Sequence, residues 1–185
     1  AGCGYDDYSN KTDLAQLEGN SNIEISGNPT ITGQVFGAGQ GASGYDNMAK
    51  LTGNSNVIIN TDLSTEVYGG GNISQTVGKT NIDIRGGTHT ADIYGGGNVG
   101  IVNGDTNVDI NGGSQTRVFG GGNQASVTNS VVNVNAGTTN EIYAGGNAAS
   151  VDTTKVYLQG GEATTIYGGS NQTGTVQTSN IETTS

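Results

Sequence analysis

Two aspartates at matching positions of neighbouring repeats are the strongest candidates for chemistry in this chain. Asp83 and Asp109 occupy the same place in the segments Thr80–Ile84 and Thr106–Ile110, so they should be neighbours if the repeats stack. Adjacent carboxylates repel each other unless a cation such as Ca²⁺ lies between them, and the pair is therefore a candidate metal site. With Arg85 two residues away, the pair could also serve a polysaccharide lyase or hydrolase, because glycosidase chemistry needs two placed carboxylates.

Other catalytic chemistry has little support in the sequence. His89 is the one histidine and Cys3 the one cysteine, so neither a clustered zinc site nor an internal disulfide can form. A nucleophile activated by histidine has one available base and no placed partner. We therefore expect no catalytic residues and no resident cofactor, with Ca²⁺ as the one candidate ion.

A column of aromatic residues could bind a ligand. Each ring follows an aliphatic residue and precedes a run of small residues. If the chain alternates strictly, the aliphatic side chain points inward and the ring outward, giving a platform that could stack on sugar rings or meet a partner protein. The alternative is that the chain bends at the glycines and the rings stack inside a corner of the core. The column comprises Phe36, Tyr68, Tyr94, Phe119, Tyr143 and Tyr167.

A column of asparagines ends the same small-residue runs. Such a column could contact a ligand, but regularly spaced amides also bond from one repeat to the next and satisfy the backbone of turns. We interpret the column as a structural ladder. Its members are Asn72, Asn98, Asn123, Asn147 and Asn171.

These columns come from an internal repeat. The aliphatic residue before each ring recurs at spacings of 32, 26, 25, 24 and 24 residues. A second phrase, such as Thr80–Gly87, alternates apolar and polar residues with the period of a β-strand. A third element is a single valine in each repeat, at Val77, Val102, Val127, Val151 and Val176. No segment has a helical period. The pattern predicts an all-β parallel β-helix, or β-solenoid, wound right-handed with three short strands per coil of about 24–26 residues.

Composition excludes several partners. The net charge is −10 with only six lysines and arginines, so neither nucleic acid nor an anionic membrane surface is an expected partner. No apolar run reaches the ~20 residues of a membrane span. An ice-binding face would need a flat threonine lattice, and the outward neighbours of Thr80, Thr106 and Thr154 are too mixed to provide one.

The domain organisation is one solenoid over residues 1–185, with inserted loops near 4–12 and 41–50. Gly4-Tyr5-Asp6-Asp7 resembles Gly44-Tyr45-Asp46-Asn47, and the aspartates of these loops are a second candidate cation site. The chain begins and ends within a repeat, so we expect it to be a fragment of a longer array. Open coils at its ends could support end-to-end self-association.

The phrases Ile93–Asn98 and Thr106–Gly113 resemble repeat regions of large secreted or cell-wall-anchored bacterial proteins, which have the form GG-x-V-x-x-V-Y-GGG-N followed by Thr-x-Val-x-Ile. The resemblance covers nearly the whole chain. It implies an extracellular, adhesin-like segment on the bacterial cell surface, presenting a binding surface to a glycan or a host protein, and it brings no catalytic residues. The alternatives are a pure structural spacer and a β-helical polysaccharide lyase or hydrolase.

Overall fold

The described residues of the chain fold into a single stack of parallel strands without a helix. The computed structural model describes residues 15–45 and 47–184, so the inserted segment near 4–12, Cys3 and Asp46 lie outside the described residues. All strand pairs are parallel and belong to one sheet that winds around the molecule. This confirms the predicted β-solenoid. The strands are β1 (Ser21–Ser26), β2 (Val35–Phe36), β3 (Ser55–Asn60), β4 (Val67–Tyr68), β5 (Thr80–Gly86), β6 (Thr88–Tyr94), β7 (Thr106–Phe119), β8 (Val127–Tyr143), β9 (Val151–Leu158), β10 (Glu162–Tyr167) and β11 (Val176–Thr183).

One wall of the solenoid consists of the alternating segments found in the sequence. β1 pairs with β3, β3 with β5, and β5 with the first half of β7, with equivalent residues opposite each other except at Asn60, where the register shifts by one residue. β8, β9 and β11 continue the same wall. Asp83 lies opposite Asp109 and Asn81 opposite Asn107, so each repeat adds one coil and each sequence column becomes a spatial column.

The second wall contains the aromatic phrases, and the third is narrower than predicted. β2, β4, β6, the second half of β7, the end of β8 and β10 form the second wall. In the third wall most contacts are single bridges, which join Leu51 to Thr76, Thr76 to Val102 and Val102 to Val127. The assignment of Val77 to this column was wrong, because Thr76 holds the bridge and the Val77 side chain is exposed.

Aliphatic side chains of the first two walls fill the interior. The column Val57, Ile82, Val108, Val132 and Val156 has no solvent exposure. Valines and isoleucines suit this position because β-branched side chains pack well on a pleated surface. One coil buries too little apolar area to fold alone, so the stack is the stable unit.

Glycine is required where neighbouring coils pass closest. A Cβ on Gly96 would lie 2.8 Å from the Gly122 nitrogen and 2.9 Å from its Cα. These distances are shorter than real Cβ contacts, so the corner accepts no side chain pointing that way. The turn after Tyr94 is therefore fixed by coil-to-coil packing.

Within the described residues there is no helical segment with the length and hydropathy of a membrane span.

Candidate functional site

The aromatic column lies inside the molecule. Its rings stack with centroids 4.7–4.9 Å apart and planes within 14° of parallel, from Phe36 through to Tyr167. Tyr68, Tyr94, Phe119 and Tyr143 are buried, and Tyr167 is 44% exposed. Of the two arrangements that the sequence allows, these four residues adopt the one in which the chain turns at the following glycines and folds the rings into a corner, so they form no exposed platform. Residues buried in this way cannot stack on a sugar ring.

Each tyrosine in the middle of the column donates its hydroxyl to a carboxylate two residues earlier. The Tyr68 hydroxyl lies 3.0 Å from Glu66 Oε2, that of Tyr94 lies 3.1 Å from Asp92 Oδ2, and Tyr143 reaches Glu141 at 3.4 Å. The pKa values of Tyr68 and Tyr94 are raised above the range of an ordinary phenol. Burial is the larger cause, and the negative charge of the nearby carboxylate is the second. These phenols are held as hydrogen-bond donors and are not poised as bases.

Arg117 occupies the carboxylate position in the coil whose ring is Phe119. Its Nε and Nη2 donate to the two oxygens of Asp92 in the preceding coil, each at 2.7 Å. This two-point bond to Asp92 raises the pKa of the Arg117 guanidinium. The guanidinium carbon also lies 5.9 Å from the centre of the Phe119 ring. The cation therefore ties two coils together.

The asparagine column forms an amide ladder. Asn98 Nδ2 donates to Asn72 Oδ1 at 2.8 Å, and Asn123 Nδ2 donates to Asn98 Oδ1 at the same distance. Asn147 and Asn171 continue the series in the same direction. Backbone nitrogens of these residues donate to glycine carbonyls one coil earlier, as Asn98 does to Gly71. Side chain and backbone are both used in joining coils.

Asp83 and Asp109 are neighbours, as the sequence predicted, but their carboxylates are held by side-chain donors. Asp83 accepts from Arg85 Nε at 2.7 Å and from Asn111 Nδ2 at 2.8 Å. Asp109 accepts from Asn107 Nδ2 at 2.8 Å and from Asn133 Nδ2 at 2.7 Å. Among residues 15–45 and 47–184, no group of three or more histidine, cysteine or acidic side chains could hold a metal ion. Neither a Ca²⁺ site nor a lyase-like centre gains support from this arrangement.

His89 lies in the core of the second wall and not in a loop. Its Nε2 lies 3.1 Å from the Thr61 carbonyl oxygen, to which it can donate, and its Nδ1 is buried without a hydrogen-bond partner. Burial lowers the pKa of this imidazole. Gln115 and Thr139 follow it in the same inward column and bond to each other at 3.0 Å. This polar column in the core was not predicted, although the sequence places His89 between two exposed threonines.

Residues 42–45 of the inserted loop form a groove with the two coils that follow it. The groove has a volume of about 320 Å³ and is lined in part by Tyr45, Ile73, Val99 and Ile101. Val99 and Ile101 are among the most exposed aliphatic side chains described, at 45% and 52%. The sequence signal for this groove was an aliphatic residue directly after an asparagine of the column, as Ile73 follows Asn72 and Val99 follows Asn98.

Comparisons with protein-family models, with curated proteins and with solved structures gave no significant match.

Proposed function

We propose that this chain is a non-enzymatic β-solenoid segment of an extracellular bacterial surface protein, with a mechanical role as a rigid spacer. The observation that supports the proposal is the use of its polar columns. The asparagine ladder, the tyrosine–carboxylate pairs and the two aspartates all form hydrogen bonds between or within coils. Bonds that run from coil to coil along the stack resist its extension, which is the property a stalk needs.

Pulling the chain from its two ends by single-molecule force spectroscopy tests the proposal. We expect no lengthening at low force, followed by rupture in steps of one coil, about 24–26 residues or roughly 85 Å of released chain. Steps of this size should disappear in urea. Gradual lengthening at low force, as for a flexible linker, would contradict the spacer role.

A glycan-binding role has lost the aromatic platform as its support, and the enzyme alternative gains none from Asp83 and Asp109, whose carboxylates accept hydrogen bonds from neighbouring side chains. A screen against glycans and extracellular proteins, with and without Ca²⁺, separates a pure spacer from a spacer that also binds. One further face of the molecule gives the binding role a different basis.

A further inference from the structure

Six side chains on three successive coils form an exposed polar surface on the second wall, which we name the hydroxyl face. In each coil two outward residues flank one inward residue, as Thr88 and Thr90 flank His89. The first outward position is paired from coil to coil, with Thr88 opposite Ser114 and Ser114 opposite Thr138. The hydroxyl face consists of Thr88, Thr90, Ser114, Thr116, Thr138 and Asn140.

Five of the six side chains of this face are not used in joining coils. Among these six residues, all in the described part of the chain, only Thr116 has a side-chain hydrogen bond, which it donates to the His89 carbonyl at 3.1 Å. Five of the six residues are exposed and Thr116 is partly so. The first wall differs, because the side-chain amides of Asn56 and Asn81 donate hydrogen bonds to the preceding coil. The hydroxyl face therefore keeps its donors and acceptors for solvent or a ligand.

The scaffold holds the first outward position of each coil, occupied by Thr88, Ser114 and Thr138, at a fixed spacing, whereas the register between β6 and β7 shifts after His89. Coils repeat every 4.7–4.9 Å, as the stacked rings show, and outward residues two apart in a strand are separated by about 6.6 Å. Beneath the face, Gln115 donates to the Gly112 carbonyl at 3.0 Å and accepts from Thr139. A face anchored in this way loses little entropy when it binds a ligand.

The chemistry of the face selects an uncharged ligand. It carries no charge over its three coils, whereas the whole chain has a net charge of −10 that repels polyanions. Each hydroxyl both donates and accepts hydrogen bonds, as the hydroxyls of a sugar do. One such bond contributes only about 1 kcal/mol, so useful affinity needs a ligand that repeats along the face. We propose that the hydroxyl face binds a linear, neutral polysaccharide. This goes beyond the spacer role, and either can fail without the other.

Binding to insoluble microcrystalline cellulose, chitin and β-1,3-glucan tests the proposal, with depletion of the intact chain from solution as the readout. The test variant is T88V/S114A/T138V, which removes three hydroxyls and keeps two β-branched side chains. The control variant is T128V/T178V/T183V, which changes three exposed threonines away from the face. We expect wild type and control to bind at least one polymer alike, and the test variant to bind it about tenfold more weakly or worse.

Three outcomes would overturn the proposal: no binding of wild type to any of the three polymers, equal binding by the test variant, or equal weakening by the control. An ice recrystallisation assay on the same proteins adds a fourth. Inhibition by wild type that is lost in the test variant, without polysaccharide binding, would assign the face to ice. If the triple variant is unfolded by circular dichroism, the single variant S114A replaces it, with a smaller loss of binding expected.

Discussion

In the four coils whose rings are buried, the type of residue two positions before the ring corresponds to whether the ring carries a hydroxyl. Glu66, Asp92 and Glu141 precede tyrosines, whereas Arg117 precedes Phe119. A buried phenol needs an acceptor, and the carboxylate supplies one at 3.0 Å for Tyr68 and 3.1 Å for Tyr94. Where the position holds a cation that cannot accept, a phenylalanine avoids an unsatisfied hydroxyl. The two columns therefore vary together for a physical reason.

Tyr94 should stay protonated in the folded protein at a pH where free tyrosine ionises. Its pKa is raised by burial and by Asp92, so the folded state keeps a proton that the unfolded state loses above about pH 10. The free energy of unfolding should accordingly fall as the pH rises beyond that value. Comparing phenolate absorbance at 295 nm in wild type and Y94F should show no difference at pH 11 while both are folded.

In urea the same pair of proteins should differ by one phenolate, because the unfolded chain exposes Tyr94. The substitution itself should be tolerated, since Phe119 occupies the same column in the adjacent coil. A difference of one phenolate in the folded proteins at pH 11 would mean that Tyr94 is accessible and that its bond to Asp92 is absent.

His89 should make the protein sensitive to mild acid. Its pKa is lowered by burial, and a proton on Nδ1 would be a buried donor without an acceptor. The unfolded state binds that proton below about pH 6.5, so stability is complete above this pH and declines as the pH falls, by at most about 1.4 kcal/mol per pH unit. Asp62 is the charged neighbour that opposes this effect.

The variant H89Q tests this effect, because glutamine already occupies the same column at Gln115. Urea unfolding at pH 7.5 and pH 5.5 should show a smaller loss of stability in H89Q than in wild type. Gln115→Asn provides a control that perturbs the column without changing its titration. Equal losses in wild type and H89Q would show that other groups carry the acid sensitivity.

Among the strands and corners, glycines at equivalent positions of different coils should differ in how well they tolerate a side chain. Gly96 and Gly169 occupy the same place in their coils, but a Cβ on Gly169 would meet nothing within 4 Å, because no described coil lies over it. G96A should therefore lose about 1–3 kcal/mol of stability through overpacking. G169A should change it by less than about 1 kcal/mol. Chemical denaturation of both variants checks the pair, and equal losses would mean that the cost is not steric.

Strand alternation predicted the first wall correctly and failed at the aromatic corner of the second. Val57 and Ile59 point inward and Asn56 and Ile58 outward, as period-2 reading requires. In β4, Val67 and Tyr68 are both buried, although they are adjacent. The strand is only two residues long and the chain turns at once, so alternation has no length over which to apply. Turn geometry, and not polarity, decides where the ring lies.

The sequence predicted which residues of the candidate site lie in the same column. Register followed from the repeat, which is why Asp83 and Asp109 were expected to be neighbours. The hydrogen bonds between different columns were not predicted, because they depend on which side chains meet across neighbouring coils, as Asn111 meets Asp83. The hydroxyl face was missed for another reason: its inward residues, such as His89 and Gln115, are polar and hide the alternation that marks a strand.

For the whole molecule, one core extends along the stack of coils from Ile25 to Val156, and each coil contacts only its neighbours, so stability should vary along its length. β7 and β8 pair with strands on both sides and have many fully buried residues. β1 and β11 each pair with one described strand, and most of the β11 side chains are exposed. In a linear array each coil is held by its neighbours alone, so fraying at either end need not unfold the middle.

Hydrogen exchange measured by mass spectrometry should therefore show a gradient in this 185-residue chain. Amides of β7 and β8 should exchange most slowly, with a denaturant dependence that matches global unfolding. Amides of β1 and β11 should exchange faster and with little denaturant dependence, because they open by local fraying. G96A should shift exchange in the central coils more than in β11, whereas G169A should leave the centre unchanged. Uniform protection from β1 to β11 would instead mean that the solenoid opens as one cooperative unit, and rupture in single-coil steps would then not be expected either.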